Sequence, residues 1–486
     1  MSVQPYRPSE PGARWLRCDL HVHTPFDRQK DFGEDIRGAI QAFRQERPQR
    51  LAAIAERFVE ACRTAAGGVG MDIVALTDHN SIVGYRYLKP QFGDLTQQAA
   101  DQGLTMPVIL PGVEFSVGGE RPLHFLVIFS SNTEVEDIEG TIRFVFGEKK
   151  PFDPETGTPR ATGESVGTFL DRLHRYCRPD TGERYLRFVL LPAHMDGNRG
   201  AAKETGTSSL TGVPGLWDEM RGQLRQWTVA RKDWNGFEAA QPFERLPQAF
   251  QDLLFRWTAV RRGDDWDHLT RNQKAYYRER KHWPLVECSD PHNYEAIGTR
   301  FSWLKMEVPD IEGIRMALLD PESRLRRMSD GPPGRAYARV QRISIKGTDF
   351  FDDIEIPLNP CLTTLIGGRG TGKSTVIEYL RQAVDRARRE DLPNDESANV
   401  SEAVQSILST KRERDFGQTK GTLLPDHKIT VDIVVAERLY RVCRSSSGTT
   451  IVNNPDQPEV QTTPFDVRSL VAVSYTHLTL PTKRIV

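Results

Sequence analysis

The chain has 486 residues, 38% of them hydrophobic and 27% charged, a length and balance that fit a soluble protein of two or three domains and exclude a disordered one. Its formal net charge of −1 excludes global attraction to nucleic acid, so any such contact must rest on local basic patches. Six cysteines without CxxC spacing point to reduced, buried thiols rather than a zinc knuckle or a disulfide framework.

No apolar run approaches the roughly 20 residues that span a bilayer, so no membrane role is expected. The opening "MSVQPYRPSE" lacks a charged-then-apolar leader pattern, which makes the cytoplasm the expected location. From there the chain reads as a series of strand-length apolar runs: "WLRCDLHVH", "DIVALTDHN", "VILPGVEFS", "LHFLVIFS", "RFVLLPAHMD", "WNGFEAAQ" and "PLVECSDPHN". All but the sixth carry a potential metal ligand at an end. Longer, helix-compatible stretches separate several of them. One is "ERPQRLAAIAERFVEACRTAAGG", with Leu51, Ile54, Ala55 and Phe58 on one face. The pattern predicts a parallel sheet with covering helices, an α/β fold whose strand ends converge on one face if the sheet closes into a barrel.

The ligands have a chemical logic. His21 and His23 lie two apart on an extended segment, so both imidazoles point to one side. Asp290 and His292 repeat that spacing, and Glu114 has two oxygens with which to bridge ions. Imidazole-rich sites with carboxylate bridges suit zinc, manganese or iron rather than calcium, and such a centre would activate water for phosphoester hydrolysis. Six of the eleven histidines, His21, His23, His79, His124, His194 and His292, fall at these run ends. A lone histidine there would be an ordinary structural residue; six beside Asp78, Glu114 and Asp290 read as a metal site.

The segments "DLHVHT", "ALTDHN", "PGVEFS", the histidine of "LHFLVI", "LPAHMD" and "CSDPHN" together resemble the ordered motifs of the PHP family, named for polymerase and histidinol phosphatase. The resemblance covers roughly Leu16 to Leu319. It implies a distorted seven-stranded β/α barrel with a phosphoesterase site of two or three metal ions. Carried over by motif, His21, His23, Glu114 and Asp290 would hold the first ion, with Glu114 bridging to a second held by His124 and His194. His79 and His292 would hold a third, and Asp78 would orient a ligand or assist catalysis alongside His79, His194 and His292. The family supplies a further His or Asp after its HxH pair; here Asp27 is the candidate and Asp31 a less well placed one. If neither coordinates, the site works with two ions.

An insertion at about 198–283 contains "FRWTAVRR" and "RNQKAYYRERKHW", where basic residues interleave with Tyr276, Tyr277 and Trp283. A nucleic-acid contact with base stacking and a basic amphipathic helix with its aromatics packed inward fit this string equally. The PHP-like region is expected to span 1–328, followed by a Pro- and Gly-rich linker at 329–338.

Beyond the linker come two alternating β segments, the apolar run "CLTTLI", and the loop "GGRGTGKST" ahead of the helical "TVIEYLRQAV". The loop satisfies G-x-x-x-x-G-K-[ST]. Backbone N–H groups around Gly367, Gly368, Gly370 and Gly372 would wrap phosphates, Lys373 would neutralise them, and Ser374, followed by Thr375, would ligate magnesium. ATP with magnesium is therefore the expected cofactor. This region and the hairpin-like "HKITVDIVVAERLYRVCRSSSG" resemble the first lobe of SMC, RecF and RecN type ATPases, the ABC-like AAA class, placed at 339–473. A PHP barrel fused to such an ATPase resembles the TrlF-type family of phosphoesterase ATPases. That resemblance implies nucleic acid as partner, a homodimer in the full-length protein, and a setting in DNA repair or in defence against phage or plasmid DNA.

The motifs that complete such an ATPase, an LSGG-type signature, a Walker B acidic pair and a switch histidine, do not follow. "SYTHLTLPTKRIV" at 474–486 is expected to be non-native sequence on a truncated reading frame, and His477 takes no ligand role. The expected function is a metal-dependent nuclease or nucleic-acid end phosphatase, with little ATPase activity in the chain as given. Two alternatives stay open: a small-molecule phosphomonoesterase of the histidinol-phosphatase kind regulated by nucleotide, and a non-catalytic scaffold around a structural metal cluster.

Overall fold

A computed structural model of the chain describes residues 12–45, 48–101, 106–119, 122–177, 185–194, 234–246, 248–261, 263–279, 283–333, 339–350, 352–359, 363–384, 422–435, 438–445, 448–452 and 460–461. The first part of the expected insertion, the end of the expected linker and the 474–486 tail lie outside these. The chain divides into two compact units, essentially residues 13–333 and 334–486.

Unit 1 is a mixed α/β fold around a curled seven-stranded sheet. Its strands in chain order begin with β1 (Arg14–Val22), β2 (Ile73–Leu76), β3 (Val108–Val117), β4 (Leu123–Phe129) and β5 (Phe188–Pro192). Two short strands follow, β6 (Phe237–Glu238) and β7 (Leu285–Val286), then β8 (Ser302–Met306) and β9 (Leu325–Arg327). Sheet order is β5-β4-β3-β2-β1-β8-β9, while β6 and β7 pair in parallel with each other. Backbone hydrogen bonds from Asn235 N–H to Leu190 O and from Asp290 N–H to His21 O, both 3.0 Å, tie the β6 region to β5 and the turn after β7 to the end of β1.

All seven predicted runs contain strands, but within the seven-stranded sheet the expectation of parallel pairing holds only for β1, β2 and β3. β4 runs antiparallel to both β3 and β5. The connection from β3 to β4 is too short for a crossover, since a parallel return takes a dozen residues or more, and it closes as a hairpin instead. The antiparallel turn explains why His124 stands at the start of its strand: the beginning of β4 lies at the same edge of the sheet as the ends of β2 and β3.

Both faces of the sheet are buried. On β4, Phe125 and Val127 join one apolar cluster and Leu126 and Ile128 the other, the period-2 alternation that makes every strand residue apolar. The helices that cover the larger cluster include α1 (Ile36–Arg44), α2 (Gln49–Gly68), α3 (Val83–Asp101), α4 (Val135–Phe146) and α5 (Val166–Cys177). α2 buries Leu51, Ile54, Ala55, Phe58, Val59 and Cys62, the predicted stripe; each large side chain so buried contributes about 1.5–3 kcal/mol. Its helical dihedrals break at Ala65–Gly67. α6 (Gln248–Arg261) and α7 (Arg271–Arg278) carry the basic-aromatic string. There Trp257, Tyr277 and Trp283 are buried and Tyr276 is exposed, so packing takes most of these aromatics inward, the second of the two readings. α8 (Ile311–Leu319) and α9 (Pro321–Arg324) close the unit. Cys18, Cys62, Cys177, Cys288 and Cys443 are buried thiols, as expected, and none forms a disulfide among the described residues.

Unit 2 is an antiparallel sheet of six strands, β10 (Arg339–Thr348), β11 (Ile354–Pro357), β12 (Leu423–Val435), β13 (Arg438–Ser445), β14 (Gly448–Val452) and β15 (Val460–Gln461), in the order β11-β10-β12-β13-β14-β15. Helix α10 (Lys373–Ala383) packs Val376, Tyr379, Leu380 and Ala383 onto Ile343, Ile345, Ile429, Val431 and Val442. The strand expected from "CLTTLI" is not formed within its described residues, 363–366. Ile366 stands 89% exposed, while its neighbour Leu365 is partly buried against the unit 2 core; among the described residues the run pairs with no strand. Among the described residues no helix is long and apolar enough to cross a membrane.

Candidate metal centre

The end of β1 brings His21 and His23 side by side, with ring centroids 5.0 Å apart. β2 continues past its last residue into a parallel bridge between His79 and Glu114, which sets the imidazole beside the carboxylate on β3. The hairpin register places His124 opposite Ser116, near Glu114. His194 follows β5 and Asp290 follows β7. His21, His23, Asp27, His79, Glu114, His124, His194 and Asp290 are all buried.

Glu114 is the hub. Its Oε2 lies 3.2 Å from His21 Nε2, 3.3 Å from His23 Nε2 and 3.2 Å from His79 Nε2. Its Oε1 pairs with His124 Nδ1 and lies 3.6 Å from His194 Nε2. Asp290 Oδ1 is 3.2 Å from His23 Nε2. Four overlapping groups of donors have metal-binding spacing: His21, Glu114 and His194; His21, His23 and Asp290; His23, Asp27 and His79; His79, Glu114 and His124. The fit to divalent ions shows in buried atoms that face one another without a well-formed hydrogen bond. His21 Nε2, His23 Nε2, His194 Nε2 and Glu114 Oε2 are buried without a hydrogen-bond partner, a cost of about 1–3 kcal/mol each for an ordinary buried polar atom. Convergent imidazole nitrogens and carboxylate oxygens are the donor set of zinc, manganese or iron.

Charge is balanced by proximity. Burial raises Glu114, but His79, His124 and His21 outweigh it and hold the carboxyl well below its ordinary range. Burial lowers His21, yet Glu238 and Glu114 win and raise it well above its usual value. For His23, burial and the Lys30 charge are outweighed by Asp27 and Asp290, and the imidazole is pushed up to about 10. The carboxylates that stabilise these imidazolium protons would stabilise a metal cation in their place.

Two expected ligands sit differently. Asp27 Oδ2 accepts from Nδ1 of His23 and Nδ1 of His79, each at 2.8 Å, and from the His79 backbone N–H at 2.8 Å. It lies behind both imidazoles, on the side away from Glu114, the arrangement of a carboxylate that orients ligands. His292 is half-buried, joins none of the four donor groups, and its Nε2 faces Lys30 Nζ at 3.3 Å. Asp78 accepts from the backbone N–H and the hydroxyl of Thr24, both at 2.7 Å. It holds the turn after β1 and does not enter the donor cluster; burial and the Asp27 charge push it up to about 7.

The sequence reading missed Glu238 and Lys30. Glu238 Oε2 is 3.0 Å from His21 Nδ1 and accepts from the His194 backbone N–H at 3.4 Å, the same orienting arrangement at a second imidazole. The run "WNGFEAAQ" was recognisable as a strand, and a carboxylate within it was the available signal. Backbone strain also gathers here. Among the described residues the non-glycine positions with positive φ are Ala66, Asn80 (49°), His194 (54°) and Asp290 (46°); the last three flank or form the donor cluster, where such strain is held by surrounding structure.

In unit 2 the glycine loop precedes α10. Gly370 and Gly372 have φ of 81° and 85°, a left-handed conformation that only glycine adopts without cost. Lys373 Nζ donates to the carbonyls of Gly367 (2.7 Å) and Gly368 (2.5 Å), closing over the loop. Ser374 and Thr375 lie in the first turn of the helix.

No family model and no curated protein matches the chain. A solved structure of an amidohydrolase from Chromobacterium violaceum, with bound sulfate and no metal, aligns at 15% identity over 64% of this chain and 97% of that one, with a TM-score of 0.26. A likeness at that level carries no functional weight.

Proposed function

We propose that unit 1 is a metal-dependent phosphoesterase acting on nucleic acid, as a nuclease or an end phosphatase, in the manner its PHP-like motifs imply. The observation that carries this reading is the convergence of orphaned, buried imidazole and carboxylate atoms on Glu114. His21, His23, Glu114 and Asp290 would hold one ion, and Glu114 with His124, His194 and His79 a second. Zinc, manganese or iron fits. Divalent ions at such a site supply Lewis acidity at phosphate oxygens and water activation near neutral pH. The chain's own contribution is positional. Asp27 fixes His23 and His79, Glu238 fixes His21, and Asp78 fixes the turn that carries His23 and Thr24. The nearly closed burial of the donors keeps bulk water from competing with the substrate phosphate.

Unit 2 is read as the start of a P-loop ATPase lobe that binds ATP with magnesium through Gly367, Gly368, Gly370, Gly372, Lys373, Ser374 and Thr375. In a longer, homodimeric, cytoplasmic protein it would couple nucleotide to the phosphoesterase. The 1–328, 329–338 and 339–473 divisions belong to this proposal.

The test is hydrolysis of end-labelled single- and double-stranded oligonucleotides, and of p-nitrophenyl phosphate, by the full chain loaded with manganese, against a His79→Ala, His194→Ala control. Oligonucleotide cleavage that drops at least about 100-fold in the control supports the reading. Turnover of p-nitrophenyl phosphate alone transfers it to a small phosphomonoester, and no hydrolysis by a folded, metal-loaded chain refutes it.

A further inference from the structure

The corner of the centre formed by Asp290 and His292 already contains a cation. Lys30 Nζ lies 2.7 Å from Asp290 Oδ1 and 3.3 Å from His292 Nε2, and its side chain is only 2% exposed. A lysine is almost never buried so far unless it is paired. The turn that delivers it starts from the orienting carboxylate: the Asp27 carbonyl accepts from Lys30 N–H at 3.3 Å, and Asp27 Oδ1 accepts from Gln29 N–H at 2.9 Å. The same four-residue turn therefore fixes the His23 and His79 imidazoles and the ammonium together.

An ion ligated by His292 Nε2 would stand about 2.1 Å from that atom, in the space the ammonium fills. His292 accordingly falls outside all four donor groups, although its i, i+2 spacing from Asp290 places it beside them. We propose that Lys30 supplies the third positive centre of this site in place of a third metal ion, so that the chain binds two divalent ions. The ammonium then balances Asp290. This inference rests on the metal reading above.

Counting ions tests it. The full chain is saturated with manganese, dialysed and assayed by plasma mass spectrometry, with circular dichroism as the check on folding. The wild type is expected to retain two ions per chain. Lys30→His, which removes the ammonium and adds a nitrogen donor beside Asp290 and His292, is expected to retain three, and Lys30→Arg, which keeps the cation, two. Three ions in the wild type overturn the proposal while leaving the metal reading intact. A count that stays at two in a folded Lys30→His chain overturns it as well, because the ammonium would not be what excludes the third ion. A folded wild type that retains no metal overturns the metal reading and this proposal with it. If Lys30→His does not fold, the wild-type count decides.

Discussion

Replacing Asp27 by asparagine separates a carboxylate that orients imidazoles from one that binds an ion. Three N–H groups converge on Asp27 Oδ2 at 2.8 Å, two of them from imidazole Nδ1 atoms. Asparagine keeps an acceptor of the same shape but loses the charge. Charge-assisted hydrogen bonds contribute about 1.5–3 kcal/mol against about 0.5–1.5 for neutral ones. Weakening two of them by about 1 kcal/mol each costs about 2 kcal/mol, or roughly a 30-fold loss of metal affinity. That lies within the roughly 10–100-fold range for carboxylates behind metal-bound histidines. Chelator-competition titration gives the affinity, and ion counting gives the stoichiometry. The expected outcome is weaker binding with an unchanged number of ions. Loss of one ion per chain, with the remaining affinity intact, would show Asp27 to be a direct ligand and refute the argument.

Other outcomes follow from the same geometry. Glu238→Ala removes the partner of His21 Nδ1 and should lower metal affinity about 10–100-fold, measured by the same titration. Because His21 and His23 hold protons at raised pKa values that a bound cation must displace, apparent metal affinity should fall at least about tenfold per unit as pH drops from 8 to 6; an affinity flat over that range would contradict it. Gly84→Ala directs a Cβ into the Thr24 hydroxyl and the Asp78 carboxylate, an overpacking that should cost about 1–3 kcal/mol in denaturant unfolding. In unit 2, Asp432 is bonded by Arg342 and Arg441. Burial raises its carboxyl, but the two guanidiniums outweigh this and hold it below the usual value. Its stabilisation is therefore complete above about pH 4 and is lost as pH falls through the lower folded value. Asp432→Ala should abolish that acid dependence in thermal melts of the full chain.

Much of the centre was legible because its chemistry is written at strand ends. The apolar runs were long enough to mark β1 to β5, and the i, i+2 pair of His21 and His23 survived folding as a pair on one side. What failed has physical causes. The parallel assignment of β4 overlooked that "GGERP" between β3 and β4 is only hairpin-length; His124 was picked out as a ligand, but the reversed strand that places it was not foreseen. Asp27 was picked out by position, but only the packing of two imidazole rings, stacked at 4.7 Å, places it behind His23 and His79. Lys30 left no trace at all, since nothing in a basic residue seven positions after a histidine announces that it will be buried. The basic-aromatic helices were ambiguous by composition, and the inward packing of Trp257, Tyr277 and Trp283 depends on tertiary contacts that composition does not encode.

The hydrogen bond from Asp290 to His21 and the pairing of β1 with β8 bear on how the protein comes into being. β1 is synthesised well before its partners on one side, which arrive only with residues 285–306. At about 5–20 residues per second, roughly 15–60 s of synthesis separate the two. Through that interval the nascent chain carries the first histidines of the centre without the strand that completes their surroundings. Any metal capture at this cluster would thus come late in biogenesis, and a translation product that stops short of β8 would expose an apolar central strand to chaperones and proteases.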